Sequence, residues 1–248
     1  MLKILLSFLL AFSFIAAPVQ AMNFGYTSTP RIMFLGDSIT DGTGDTGNIF
    51  GYRDTAQSIY TPSSYITVGA YYSPESDATY GVRHQGLPGQ RADEMQTAIA
   101  AQLVTYMPKP NPPGSVIVLH IGTNDLNSGG DTGATLIPQL EDIVAQITAY
   151  DSTIKLFICT ILPSTTGALD TKITAYNALI VADYNGTWSS NSNIHLIDAN
   201  TAFRACNGGT FSGCMSDFLH PNSTGYTALG TAIGGCILST STTYCDNH

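Results

Sequence analysis

The stretch RIMFLGDSITDGTG, residues 31–44, contains the strongest signal for the fold. Its apolar run from Ile32 to Leu35 lacks the alternation of apolar and polar residues that is typical of a strand with one solvent-exposed face. The run therefore predicts a parallel strand that is covered on both faces. The run stops at Gly36-Asp37-Ser38, where the chain must turn. Such a turn is either purely structural or presents Ser38 as a nucleophile.

Strand-like segments and helical stripes alternate along the rest of the chain. The predicted strands cover 31–36, 64–69, 115–121, 154–162 and 194–198. Helical spacing of apolar residues links Met95, Ile99 and Leu103, then Leu136, Leu140, Ile143 and Ile147, then Ile173, Tyr176, Leu179 and Ile180, and finally Tyr226, Leu229 and Ile233. This alternation predicts a doubly wound α/β sandwich, in which ligands bind at the carboxyl ends of the strands.

Residues 1–21, MLKILLSFLLAFSFIAAPVQA, have the organisation of a secretory signal peptide. Lys3 supplies the positive end, an apolar core follows, and Val19-Gln20-Ala21 fits a small-x-small cleavage site. A membrane anchor is the alternative, but a helix that spans a bilayer needs about 20 apolar residues, and this apolar run is shorter. We therefore expect a secreted or periplasmic protein without stable membrane insertion, with a single domain over 22–248.

The charge of the chain argues against nucleic acid as a partner. Its 248 residues carry nine Lys and Arg against 18 Asp and Glu, a net charge of −9. Binding to phosphate backbones needs clustered basic residues, which this composition does not favour. The sequence leaves the oligomeric state open.

The cysteines agree with export. Four of the five lie between 206 and 245 and allow three pairings. We favour the two local ones, Cys206–Cys214 and Cys236–Cys245, which suit an oxidising compartment. Cys159 lies in an apolar run and is expected to be a buried free thiol. No Cys-x-x-Cys pair or His/Cys ligand spacing occurs, so a structural zinc is not expected. A serine nucleophile with a histidine base would also require no metal or organic cofactor, and we expect none.

Four motifs follow predicted strands or precede the last helix. They are Gly36-Asp37-Ser38, the stretch 84–91 with Gly89, Gly122-Thr123-Asn124-Asp125, and Asp217-Phe218-Leu219-His220. A serine hydroxyl needs a base within hydrogen-bond reach, and His220 can serve if Asp217 orients its ring. The N–H groups of Ser38 and Gly89 and the amide of Asn124 can stabilise an oxyanion. Each motif alone is common, but together they predict a catalytic triad of Ser38, Asp217 and His220 with an oxyanion hole of Ser38, Gly89 and Asn124.

At these motifs the sequence resembles the SGNH, or GDSL-type, hydrolases across essentially the whole of 22–248. The resemblance implies a flavodoxin-like three-layer α/β/α sandwich with a five-stranded parallel sheet. It also implies the same triad and oxyanion donors, and a structural role for Asp37 in the turn.

Within that group the chain is most similar to carbohydrate esterase family three, the acetylxylan-esterase type. The likeness is carried by the stretches 31–42, 51–53, 119–126 and 217–222. The second block departs from the subgroup at Gln85 and Gln90, where an acidic and an aromatic residue would be expected. Because these positions are candidates to face substrate, the sugar preference stays open.

Three kinds of polar residue near the motifs have structural interpretations. His120 lies in an apolar strand and is expected to be a hydrogen-bonded core histidine. Arg53 and Arg91 follow glycine motifs and are expected to brace the loops through charge-assisted hydrogen bonds. Asn222 begins a glycosylation sequon, but its closeness to His220 favours a bare side chain that caps the last helix.

The motifs predict a serine esterase acting on short-chain, above all acetyl, esters of a small molecule or a polysaccharide. The first alternative is a lysophospholipase, arylesterase or thioesterase of the same superfamily. The second is a non-catalytic carbohydrate-binding protein, whose usual signature is the loss of Ser38 or His220. Both residues are present here.

Overall fold

The computed structural model describes residues 29–46, 50–60, 65–72, 83–239 and 243–246. The predicted signal peptide, 1–21, lies outside these residues. In chain order the elements are β1 (Arg31–Gly36), α1 (Ser38–Asp41), α2 (Tyr52–Tyr60), β2 (Ile66–Val68), β3 (Tyr71–Tyr72), β4 (Arg83–Gly86), α3 (Ala92–Tyr106), β5 (Val116–His120), α4 (Thr123–Asn127), α5 (Gly133–Tyr150), β6 (Lys155–Cys159), α6 (Gly167–Gly186), β7 (Ile194–Ile197), α7 (Ala199–Arg204), α8 (Cys206–Gly209) and α9 (Ser223–Ile237).

The seven described strands form one mostly parallel sheet. Its order is β3-β4-β1-β5-β6-β7, with β2 also paired to β1. The β5 strand occupies one side of β1, so β2 and β4 share the other: β2 pairs with 31–33 and β4 with 35–36. Only β3 runs antiparallel to its neighbour, β4. The carboxyl ends of β1, β4, β5, β6 and β7 therefore meet at one edge.

The predicted α/β sandwich is confirmed, but the sheet has seven described strands where the resemblance implied five. The additional strands are β3 and β4. The sequence analysis predicted no strand at His84 and Gln85, yet both are buried in β4. Backbone groups satisfy them: Gly86 N donates to His84 Nδ1 at 3.2 Å, and Ala70 N donates to Gln85 Oε1 at 3.0 Å. Gln85 therefore has a structural role in the sheet through the contact of its side chain with Ala70 N.

Helices cover both faces of the sheet, as the continuous apolar strands require. Along β1, Met33 and Leu35 pack with α3, α5 and α6, whereas Ile32 and Phe34 pack with α2, α7 and α9. The predicted helical stripes form these contacts; only Leu179 is not fully buried. No helix among the described residues is long and apolar enough to span a bilayer.

Both predicted disulfides are present. Cys206 is bonded to Cys214, and Cys236 is bonded to Cys245. Cys159 is a free thiol buried in β6, and burial raises its pKa far above the ordinary value. The thiol is therefore neutral and acts as a small apolar side chain.

Candidate active site

Ser38 lies at the first residue of α1, directly after the end of β1. Asp37 is the N-cap of this helix, and its Oδ1 accepts a hydrogen bond from Ile39 N at 2.9 Å. Gly36 allows the turn because a Cβ at this position would lie 2.3 Å from the carbonyl oxygen of His120. The short helix α1 thus begins in close contact with the sheet, and Ser38 lies at the carboxyl edge of the sheet.

A chain of hydrogen bonds joins Ser38, His220 and Asp217. Ser38 Oγ lies 3.0 Å from His220 Nε2, and His220 Nδ1 lies 2.8 Å from Asp217 Oδ2. An ionised carboxylate can only accept, so Nδ1 carries the proton and Nε2 can accept the Ser38 hydroxyl proton. The arrangement can activate a serine as a nucleophile.

Asp217 is held in the charged state. Partial burial pushes the pKa of its carboxyl up, but the hydrogen bond from the His220 ring and two backbone donors outweigh this, and the pKa is lowered. Leu219 N and His220 N both donate to Asp217 Oδ1 at 2.7 Å. The carboxylate therefore remains an acceptor for the imidazole throughout the neutral range.

The loop that carries Asp217 and His220 is held by the start of α9 and by a disulfide. Asn222 is the N-cap of α9: its Oδ1 accepts from Gly225 N at 3.1 Å, and its Nδ2 donates to Gly213 O at 3.0 Å. Since both the oxygen and the nitrogen of the Asn222 amide form hydrogen bonds with the backbone, the structure agrees with the expectation of a capping residue. Upstream, the Cys206–Cys214 bond ties the loop to α8.

Two contacts from distant parts of the chain complete this support. Gly44, with φ +93°, follows α1, and a Cβ there would lie 2.8 Å from His220 Cβ and 2.9 Å from Pro221 O. From the loop after β6, the buried Ser164 hydroxyl donates to Phe218 O at 2.8 Å. The sequence analysis missed both residues, because a lone glycine and a lone serine have no motif.

The candidate oxyanion donors come from the loops after β4 and β5. Leu87 N donates to Gly36 O at 3.1 Å, so the loop that leads to Gly89 starts beside the turn of Ser38. Gly89 has φ +82° and is exposed, and a Cβ there would meet nothing within 4 Å. The Asn124 amide donates one N–H to Gln90 O at 2.9 Å and keeps its second for another acceptor.

A buried carboxylate joins the same two loops. Asp125 Oδ1 accepts from Ala92 N at 3.0 Å and lies 3.7 Å from Arg91 Nε. Arg91 also pairs with Asp131 at 3.2 Å. The expectation that Arg91 braces a loop agrees with these contacts, and Arg53 has a similar place: it is fully buried, and its Nη2 donates to Asp41 O at 2.9 Å.

Two buried titratable side chains lie behind the site. Asp37 is fully buried, and desolvation, only partly offset by the Ile39 N–H and the charge of His220, raises the pKa of its carboxyl to about 7. His120 is also fully buried, and desolvation lowers its pKa to about 4, so it is neutral. His120 is a core histidine as expected, but its expected hydrogen bond is not found: among the described residues, neither ring nitrogen has a partner.

No group of three or more His, Cys, Asp or Glu within the described segments is arranged to hold a metal ion. Independently of this, the contacts from Ser38 to His220 and from His220 to Asp217 support attack by a serine oxygen on a carbonyl, with a histidine as proton carrier.

Comparisons with solved structures return carbohydrate esterases and lipolytic proteins. A carbohydrate esterase family 3 protein from Talaromyces cellulolyticus is 23% identical, with a TM-score of 0.70 over 85% of this chain and 97% of that one. A family 3 carbohydrate esterase from Clostridium thermocellum is 25% identical, with a TM-score of 0.67 over 82% and 92%. A lipolytic G-D-S-L family protein from Veillonella parvula is 20% identical, with a TM-score of 0.62 over 82% and 96%.

The comparison with curated protein sequences gives no match. The family model described as "GDSL-like Lipase/Acylhydrolase family" matches residues 34–228, which include every candidate site residue. The chain belongs to the GDSL-like lipase/acylhydrolase family and is an esterase-type hydrolase of that superfamily.

Proposed function

We propose that this protein is a secreted serine esterase that removes short acyl groups, above all acetyl, from a carbohydrate. The observation that carries the proposal is the Ser38–His220–Asp217 chain, with contacts of 3.0 and 2.8 Å. The likeness to family 3 carbohydrate esterases supports the carbohydrate. The two disulfides support an oxidising compartment outside the cytosol.

In the proposed mechanism, Ser38 Oγ attacks the ester carbonyl while His220 Nε2 takes its proton. The tetrahedral oxyanion is stabilised by the N–H groups of Ser38 and Gly89 and by the free N–H of Asn124. His220 then protonates the leaving alcohol, which departs and leaves an acyl-Ser38. Water, activated by His220, releases the acid and restores the serine.

Replacing the nucleophile tests the mechanism. Ser38→Ala should lower kcat on p-nitrophenyl acetate by several orders of magnitude, because only the oxyanion donors and substrate binding remain. The thermal midpoint should stay close to that of the parent, and Ser58→Ala, at an exposed serine on α2, should keep full turnover. Wild-type turnover in the Ser38 variant would end the proposal.

The acyl and alcohol parts of the substrate require a second experiment, since the matching family model also covers lipases. A p-nitrophenyl series from acetyl to octanoyl should give the highest kcat/KM for acetyl. Acetate release from acetylated xylan, chitin and pectin then identifies the polymer. Activity that rises with chain length would instead favour the lipolytic alternative.

A further inference from the structure

A polar cavity opens at the edge of the sheet that is formed by the carboxyl ends of its parallel strands, next to β6 and β7. It has a volume of about 590 Å³ and lies between α6 and α7. This volume falls within the range of roughly 300–1,000 Å³ that is typical of ligand sites. Its polar lining includes Asp170, Thr174, Asn177, Asp198, Asn200 and Arg204.

The charged and amide groups of this cavity are already fixed in position. Arg204 donates to Asp170 Oδ1 at 2.6 Å and to Asn200 Oδ1 at 2.8 Å, and its guanidinium lies 5.2 Å from the centre of the Phe211 ring. Asp198 Oδ1 accepts from Thr160 Oγ1 and Thr201 N. A ligand would find these side chains preorganised, so little conformational entropy would be lost on binding.

Fixed groups of the cavity keep unused hydrogen-bonding capacity. Within the described ranges, Arg204 Nη1 and the Oδ2 atoms of Asp170 and Asp198 have no hydrogen bond. The cavity thus offers donors and acceptors together, which matches hydroxyl groups because each hydroxyl both donates and accepts. Two carboxylates against one guanidinium disfavour an anion, and the described residues hold no cluster suited to a metal.

The cavity is linked to the triad by a short path. Asp170 Oδ1 accepts from Ser164 N at 3.1 Å, and Ser164 Oγ donates to Phe218 O, next to Asp217. The strands β6 and β7 lie two and three positions from β1, so the cavity is about 10–14 Å from the end of the strand that presents Ser38. An extended polymer with its ester at Ser38 can reach this distance, whereas a small ester cannot.

We propose that this cavity is a distal subsite for the main chain of a neutral polysaccharide, which is bound there through its hydroxyl groups while Ser38 acts on an ester further along. The assignment of the cavity as a subsite of an esterase rests on the proposed function. Its ability to bind hydroxyl groups does not. It distinguishes polymeric from small substrates, since only a polymer occupies both places.

Substitutions that fill the cavity should affect the hydrolysis of a polymeric ester but not that of a small ester. Ala178 and Thr201 are exposed residues in its opposite walls, and Ala175 is an exposed residue of α6 outside the lining. Ala178→Trp and Thr201→Trp should each raise KM for acetylated xylan about tenfold, the loss expected for one or two hydrogen bonds. Both should keep the wild-type kcat/KM for p-nitrophenyl acetate, and Ala175→Trp should keep both values.

A direct binding measurement tests the subsite independently of catalytic turnover. Calorimetric titration of unacetylated xylohexaose should show equal binding to the wild type and to Ala175→Trp, and binding about tenfold weaker to Ala178→Trp. If p-nitrophenyl acetate is hydrolysed but both cavity variants keep the wild-type KM for the polymer, the subsite is wrong and the proposed esterase stands. If no ester is hydrolysed, the proposed function fails, and the xylohexaose titration decides the subsite alone.

Discussion

The two halves of the candidate site are built in different ways. The candidate nucleophile and oxyanion donors lie where β1, β4 and β5 end, and each follows its strand by two to four residues. The candidate acid and base lie on the loop before α9, which no strand of the sheet enters directly. The backbone of the sheet positions the half at the strand ends. Side-chain hydrogen bonds, a disulfide and close packing position the half on the loop.

Because the two halves are held in place differently, they should respond differently to small substitutions. At the strand ends, the donors are joined by hydrogen bonds such as Asn124 to Gln90, and the sheet itself keeps Ser38 in place. In the loop, His220 depends on contacts with Gly44, Asp217 and the Cys206–Cys214 bond. Substitutions that leave the sheet intact should therefore still misplace the base.

The largest effect is expected at Asp217. In Asp217→Asn an amide N–H faces His220 Nδ1, so the ring loses the acceptor that fixes its tautomer, and kcat should fall about 10⁴-fold. Steady-state kinetics on p-nitrophenyl acetate measure this. Asp151→Asn is the control, since Asp151 is also hydrogen-bonded with a lowered pKa but precedes β6 at the opposite edge. Loss of less than tenfold in Asp217→Asn would contradict the role of orienter.

Asn124 tests the strand-end half. Asn124→Ala removes one oxyanion donor and should cost roughly 2.7–4 kcal/mol of transition-state stabilisation, or 10²–10³ in kcat. Asn127→Ala, at an exposed position on the same helix, should leave kcat unchanged. A rise in KM with normal kcat in the Asn124 variant would assign the residue to substrate binding instead.

Gly44 tests packing against the base. Gly44→Ala should lower kcat about tenfold, because the new methyl group overlaps His220 Cβ and a positive φ adds roughly 1–3 kcal/mol of strain. Gly130→Ala is a matched control: Gly130 has φ +79°, but a Cβ there would meet nothing within 4 Å. Equal effects of the two substitutions on kcat would show that only backbone strain was measured.

The smallest effect on turnover is expected from the disulfides. Cys206→Ser/Cys214→Ser and Cys236→Ser/Cys245→Ser open loops of nearly equal size, with sequence separations of 8 and 9. Each should lower the free energy of unfolding by roughly 2–3 kcal/mol, as chain entropy predicts. Only the first should also reduce kcat, by a few-fold, since it supports the loop of His220. Equal turnover in the two variants would remove the distinction between the halves.

Much of the fold could be predicted because its signals are local. Apolar runs such as 32–35 and 116–119 indicate strands covered on both faces, and Asp217-x-x-His220 brings acid and base together within one loop. The β4 strand escaped prediction because its buried His84 and Gln85 are polar and find partners in the backbone. The contacts of Gly44 with His220 and of Ser164 with Phe218 join residues far apart in sequence, and only the folded chain brings them together.

The C-terminal segment 243–246 lies along β7, the last strand of the sheet on that side. Asp198 N donates to Tyr244 O at 2.8 Å and Asp246 N donates to Leu196 O at 3.1 Å, while Cys245 is bonded to Cys236 in α9. An uncovered edge strand is a template for pairing with another chain. The segment therefore occupies backbone groups of β7 that could otherwise pair with another chain, and we expect its release, for example by reduction of the Cys236–Cys245 bond, to appear first as concentration-dependent aggregation.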